Sequence, residues 1–188
     1  MRRKQKRKSK IIPIFLCILA LVLIAYFGTV SVLKTLYPLK YDNYVEMYTE
    51  EYGLEKSFVF SVIECESGFD KDAVSNVGAR GLMQIMPETF DWLLSKTGED
   101  FSEDDLFEPE VSIKYGCMLY SRLLSQFHDE KVAVAAYHAG TGNVQKRLKN
   151  PEYSEDGKTL SKIPFSSTDY YAQKVIKVKA IYEKLYDL

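Results

Sequence analysis

A chain of 188 residues, 46% hydrophobic and 27% charged, has room for one domain of ordinary size and a short appendage, which excludes a large multidomain machine. Its formal charge of −1 conceals a split: residues 1–40 carry nine basic groups and no acid, while residues 41–188 set 16 basic groups against all 26 acids, a formal charge of −10. A domain that acidic is a poor ligand for phosphate backbones, so nucleic acid is excluded as a partner, and with no repeat or low-complexity run the chain is neither a solenoid nor disordered.

Residues 1–10 form a basic tail with seven Lys or Arg, followed by the uncharged run Ile11–Leu33, IIPIFLCILALVLIAYFGTVSVL. At ~1.5 Å per residue these 23 positions span a ~30 Å hydrocarbon core, and apolar residues occupy every face, so the sequence predicts a transmembrane helix. No A-x-A cleavage pattern follows Ala25, which favours an uncleaved anchor over a signal peptide. The positive-inside rule keeps the tail cytoplasmic and puts Lys34–Leu188 outside, so the expected location is a single-pass plasma-membrane protein with its acidic domain extracytoplasmic. Residues 34–43 read as a juxtamembrane linker.

Beyond the linker, apolar positions recur at helical spacing, and the expected fold class is all-α. Helices are predicted over Tyr44–Tyr52, Lys56–Glu66, Pro87–Lys96, Pro109–Phe127, Glu130–Ala139, Gly142–Lys149 and Ser167–Tyr186. Between the second and third of these, Gly68, Gly78 and Gly81 mark a long connection of the kind that carries function more often than not. The acid-rich stretch Glu99–Glu110 lacks the order of a calcium loop and reads as a solvated loop and helix start. His128 and His138 are ten apart and no Cys or His cluster has metal-ligand spacing, so neither metal nor cofactor is expected. Cys17 lies in the apolar run, and Cys65 and Cys117 are too few for a disulfide framework.

On the helix Lys56–Glu66, Val59, Val62 and Ile63 stand seven, four and three positions before Glu66 and share its face, whereas Glu64 shares its own with Phe60 and Ser61. A carboxyl aimed at the apolar side is driven toward its neutral form, which makes a proton donor near neutral pH. Taken alone, the position also fits a loop cap or a pair with Arg80.

Four ordered blocks decide between these readings. VIECESGFDKDAVS, GARGLMQIMPET, AAYHAGTGNV and IPFSSTDYYAQKV, running from Val62 to Val175, resemble the soluble lytic transglycosylase (SLT) domain family with its goose-type lysozyme-like fold. The resemblance covers nearly all of 44–188 and implies a catalytic domain there. It implies that Glu66 is the catalytic acid and base, with Ser67, Met83, Gln84, Tyr137, His138 and Tyr171 as substrate-binding residues. Met83 would form a wall against a sugar ring and Tyr171 a hydroxyl near the reacting centre, with plain core roles for these two left open. Two positions depart from the family pattern: His138 stands where Asn is usual, and Ser167 where Glu is usual. The activity implied is cleavage of the MurNAc–GlcNAc bond of peptidoglycan with formation of 1,6-anhydro-MurNAc ends, without metal or cofactor. The partners implied are peptidoglycan glycan strands, with the membrane reached through the N-terminal helix. The alternatives are a hydrolase of the same fold, for which Asp70, Asp72 or Asp91 would be the second carboxylate, and a catalytically impaired wall-binding scaffold. Protein partners and the choice of endo or exo cleavage are not legible in the sequence.

Overall fold

The structure, a computed structural model, describes residues 11–162 and 166–188; the basic tail and Ile163–Phe165 of the fourth block lie outside the described residues. The chain divides into two compact units, residues 1–38 and 39–188. The first contains α1 (Ile11–Leu36), which is long and apolar enough between Pro13 and Leu36 to cross a membrane. Lys34–Leu36 finish this helix, and Asp42 already begins the next, so the irregular stretch is shorter than the expected linker 34–43.

The second unit is built from α2 (Asp42–Tyr52), α3 (Lys56–Glu66), α4 (Pro87–Thr97), α5 (Pro109–Phe127), α6 (Glu130–Ala139), α7 (Thr141–Leu148) and α8 (Ser166–Tyr186), with a 3₁₀ turn over Glu103–Phe107. Among the described residues the only β pairing is two isolated bridges, Val74–Arg80 and Arg80–Ile85. Local chemistry sets the helix ends. Pro87 and Pro109 open α4 and α5, where a missing N–H costs nothing, and the Asp129 side chain accepts the Val132 N–H to cap α6 at 2.8 Å. His128 takes a left-handed conformation, φ 56°, and closes α5 through its N–H to the Leu124 carbonyl.

The pairs α3–α8, α5–α6, α2–α5 and α6–α8 form the core. Phe60 of α3 stacks on Tyr182 of α8 with ring centres 5.4 Å apart, and Tyr120 of α5 meets Tyr137 of α6 at 5.8 Å. Burial of α3 is wider than the predicted stripe. Every residue from Ser57 to Ile63 is buried, including Phe60 and Ser61 on the face shared with Glu64, where α8 packs through Tyr182. Ser61 satisfies its hydroxyl within the helix by donating to the Phe58 carbonyl at 2.6 Å. Lys179 of α8 reaches Glu55 at 2.6 Å and Glu130 at 2.8 Å, fastening α8 to the starts of α3 and α6.

Candidate active site

Glu66 occupies the last turn of α3, where the helix leaves the core. Ser67 follows as the helix cap, and its hydroxyl donates to the Leu82 carbonyl at 2.9 Å and the Ile63 carbonyl at 3.2 Å. It therefore ties the end of α3 to the glycine-marked connection, and the geometry makes it a brace for Glu66.

That connection, residues 67–86, returns on itself around three fixed points. Gly81, at φ 74°, passes so close to the Leu106 carbonyl that a Cβ there would collide with its oxygen, so only glycine allows the crossing. The Met83 N–H donates to the buried Ser112 hydroxyl of α5 at 3.2 Å, and the Met83 carbonyl accepts the Tyr137 hydroxyl of α6 at 2.6 Å. Gln84 holds an uncommon backbone conformation, φ 47°, and its side-chain N–H group donates to the Ala73 and Gly81 carbonyls at 3.1 and 3.0 Å. Arg80 does not pair with Glu66. It binds Asp104 at 2.6 Å and Glu103 at 3.2 Å, so part of the acid-rich stretch, read from sequence as solvated, clamps the connection to the 3₁₀ turn.

Met83 departs from its expected place as a sugar wall. Its side chain is wholly buried, seated over Gly116 of α5 so tightly that a Cβ on that glycine would run into the sulfur. The residue positions backbone, and its side chain is core.

Tyr171 of α8 is buried, and its hydroxyl donates to Glu66 Oε1 at 2.5 Å. Its ring stacks on His138 of α6 at 4.6 Å with 29° between planes, and His138 Nδ1 lies 3.1 Å from the Thr168 hydroxyl oxygen. Three helices thus converge on one carboxyl. Loss of hydration pushes Glu66 up to about 7 from an ordinary 4.5, against the opposing pull of the Tyr171 hydrogen bond and the Lys174 ammonium. Burial also raises Glu64, so facing alone does not separate the two acids. The Tyr171 contact does. Among the described residues no acid is one of the groups that shift Glu66, and Asp70, Asp72 and Asp91 are all exposed. Asp70 accepts the Asp72 N–H, and Asp72 pairs with Lys71. Among the described residues no group of His, Cys, Asp and Glu is arranged to hold a metal ion, and all three cysteines are free thiols.

Tyr137 also lines a cleft of about 800 Å³ whose other walls include Glu88 and Trp92 of α4 and Arg122 and Gln126 of α5. Trp92 is 43% exposed, with the Arg122 guanidinium 5.0 Å and the Lys96 ammonium 5.7 Å from its ring centre. An exposed indole beside two cations offers a stacking face and anion-binding groups. Sequence reasoning did not select Trp92 or Arg122, which lie in none of the four blocks. Thr168 was also missed, although it sits three residues before Tyr171, on the same helical face.

Helices packed around a desolvated carboxyl with a tyrosine hydroxyl on it form a candidate acid–base site on an all-helical scaffold; the cleft is lined by Tyr137 and not by Glu66, Tyr171 or His138. Residues 43–160 match the transglycosylase SLT domain, and the chain belongs to that family. It is 34% identical over 158 residues to the soluble lytic murein transglycosylase of Salmonella typhimurium, covering 80% of this chain and 24% of the relative. The soluble lytic murein transglycosylase of Escherichia coli K12 is 32% identical over 155 residues, with coverages of 80% and 24%. Among solved structures, lytic transglycosylase Slt of Pseudomonas aeruginosa superposes with a TM-score of 0.71 at 33% identity, covering 81% of this chain and 25% of that one. The chain thus spans about a quarter of the length of these relatives.

Proposed function

We propose that this chain is a membrane-anchored lytic transglycosylase that cleaves the MurNAc–GlcNAc bond of peptidoglycan and leaves 1,6-anhydro-MurNAc ends. The observation that carries the reading is the desolvated carboxyl of Glu66, hydrogen-bonded by Tyr171, at the position the family pattern assigns to the catalytic acid. With a pKa of about 7, a large share of Glu66 is protonated at neutral pH and can give its proton to the glycosidic oxygen as the bond from the anomeric carbon breaks. The substrate's N-acetyl group supports the positive charge that develops at that carbon. Glu66, now a carboxylate stabilised by the Tyr171 hydroxyl and Lys174, takes the proton of the muramoyl C6 hydroxyl. The C6 oxygen then bonds to the anomeric carbon. No water enters, and the carboxyl returns to its starting state.

Two further features support the reading. Intramolecular attack needs no second carboxylate, consistent with a centre at which Asp70, Asp72 and Asp91 do not act on Glu66. The apolar helix Pro13–Leu36 and the basic tail fit an anchor that presents the domain to the wall layer nearest the membrane. The test is digestion of purified peptidoglycan with the full chain in detergent, followed by mass analysis of the fragments. Muramoyl ends lighter by one water, absent with Glu66→Gln, are the expected product. Ordinary reducing ends would assign a hydrolase, and binding without cleavage would assign a scaffold.

A further inference from the structure

We infer that His138 and Thr168 are a positioning pair for Tyr171, and so for the Glu66 proton; the inference rests on the reading of Glu66 as acid and base. A tyrosine turns about two side-chain torsions, so a hydroxyl held on a carboxyl needs its ring fixed from outside. Here the fixing surface is the His138 ring, stacked on Tyr171 at 4.6 Å. His138 is in turn held at its edge, where Nδ1 meets the Thr168 hydroxyl at 3.1 Å. Thr168 is 2% exposed and lies one turn before Tyr171 on α8. The contacts run from Thr168 through His138 and Tyr171 to Glu66, and link α8, α6 and α3.

The two departures from the family pattern become intelligible together. An Asn at 138 has no aromatic face to lay against Tyr171, whereas an imidazole supplies a face and a hydrogen-bonding edge at once. Burial holds His138 below its ordinary pKa, so at neutral pH it is an uncharged ring. Ser167, at the position of the usual Glu, is exposed, and the inward polar contact is made by its neighbour Thr168. Among the described residues the other charged or titratable groups acting on Tyr171 and Glu66 are Tyr137 of α6, Cys65 of α3 and Lys174 of α8, and none of these holds the Tyr171 ring as His138 does.

The experiment follows the Glu66 carboxyl by carbon-13 NMR in the full chain in detergent, together with steady-state kinetics. The variants are Thr168→Val, Thr168→Ser, His138→Ala and Tyr171→Phe. Thr168→Val keeps shape and removes the hydroxyl. It is expected to move the Glu66 titration to higher pH, in the same direction as Tyr171→Phe, because the carboxylate loses a well-placed donor. It should lower kcat by ~10-fold with KM little changed. Thr168→Ser should restore both, and Thr168→Val should add nothing in a Tyr171→Phe background. The inference is overturned if Thr168→Val leaves the Glu66 titration at its wild-type position, if Ser and Val behave alike, or if the effect persists without the Tyr171 hydroxyl. Should His138→Ala fail to fold, the near-isosteric Val and its Ser control still decide. Because the titration is read without substrate, a chain that cleaves nothing yet keeps this coupling would count against the proposed function and not against the pair.

Discussion

Replacing Glu66 by Gln tests the site through stability as well as turnover. The folded carboxyl titrates at about 7 and its ordinary value is 4.5, so between those values the native state holds a proton that the unfolded chain has released. Below 4.5 both states are protonated and the group adds no pH dependence. As pH rises from 4.5 through 7 the folded state loses ground, and above 7 the full penalty of a desolvated carboxylate is present. At about 1.36 kcal/mol per pH unit, that gap amounts to about 3 kcal/mol at most. Glu66→Gln removes the titration and keeps the shape, so the variant should gain on the wild type by up to this amount between pH 4 and pH 8. For a unit of this size the gain is worth about 6 to 12 °C in midpoint temperature. The assay is thermal unfolding of residues 39–188 at the two pH values, with the variant's own offset cancelled by comparing the differences. Turnover in the same variant should fall by ~10²-fold or more. Equal offsets at pH 4 and pH 8 would refute the claim that Glu66 is a desolvated acid, whatever the loss of activity.

Gly81→Ala should cost about 3 kcal/mol or more in urea unfolding, since it combines a left-handed backbone with a collision on the Leu106 carbonyl. A change under about 1 kcal/mol would mean the crossing relaxes freely. Trp92→Ala should raise KM for glycan severalfold while leaving the unfolding midpoint nearly unchanged, because the indole is 43% exposed and lines the cleft; a fall in kcat alone would argue against a binding role. The helix Pro13–Leu36 should keep the protein in the membrane fraction through a high-salt wash, because apolar burial is not screened by ions. Release by salt, or a mature N-terminus beyond Ala25, would contradict the anchor.

Much of this architecture was legible in the sequence because it follows from local rules. Pro87 and Pro109 at first turns and the apolar spacing of α3, α5 and α8 place the helices to within a few residues. The facing of α3 does not separate Glu66 from Glu64, since every residue from Ser57 to Ile63 is buried; the Tyr171 contact with Glu66, which joins two of the sequence blocks, does. Residues whose roles depend on long-range contact were not legible. Met83 lies in a cleft motif yet its side chain belongs to the core, because Gly116, 33 positions later, opens a seat for it. Ser67 and Gln84 read as ligand contacts, whereas their hydrogen bonds go to carbonyls of the connection. The partner of Arg80 lies in a stretch whose composition spoke only of solvent. Trp92 and Arg122 come from different helices, 30 residues apart, and nothing local to either announces their meeting.

The central claim is that one carboxyl directs an internal attack that consumes no water, and digestion of peptidoglycan in oxygen-18 water tests it most directly. The expected products are muramoyl ends lighter by one water and free of the heavy isotope, formed by the wild type and not by Glu66→Gln. Labelled reducing ends as the main product would contradict it and return the search for a second carboxylate to Asp70, Asp72 and Asp91.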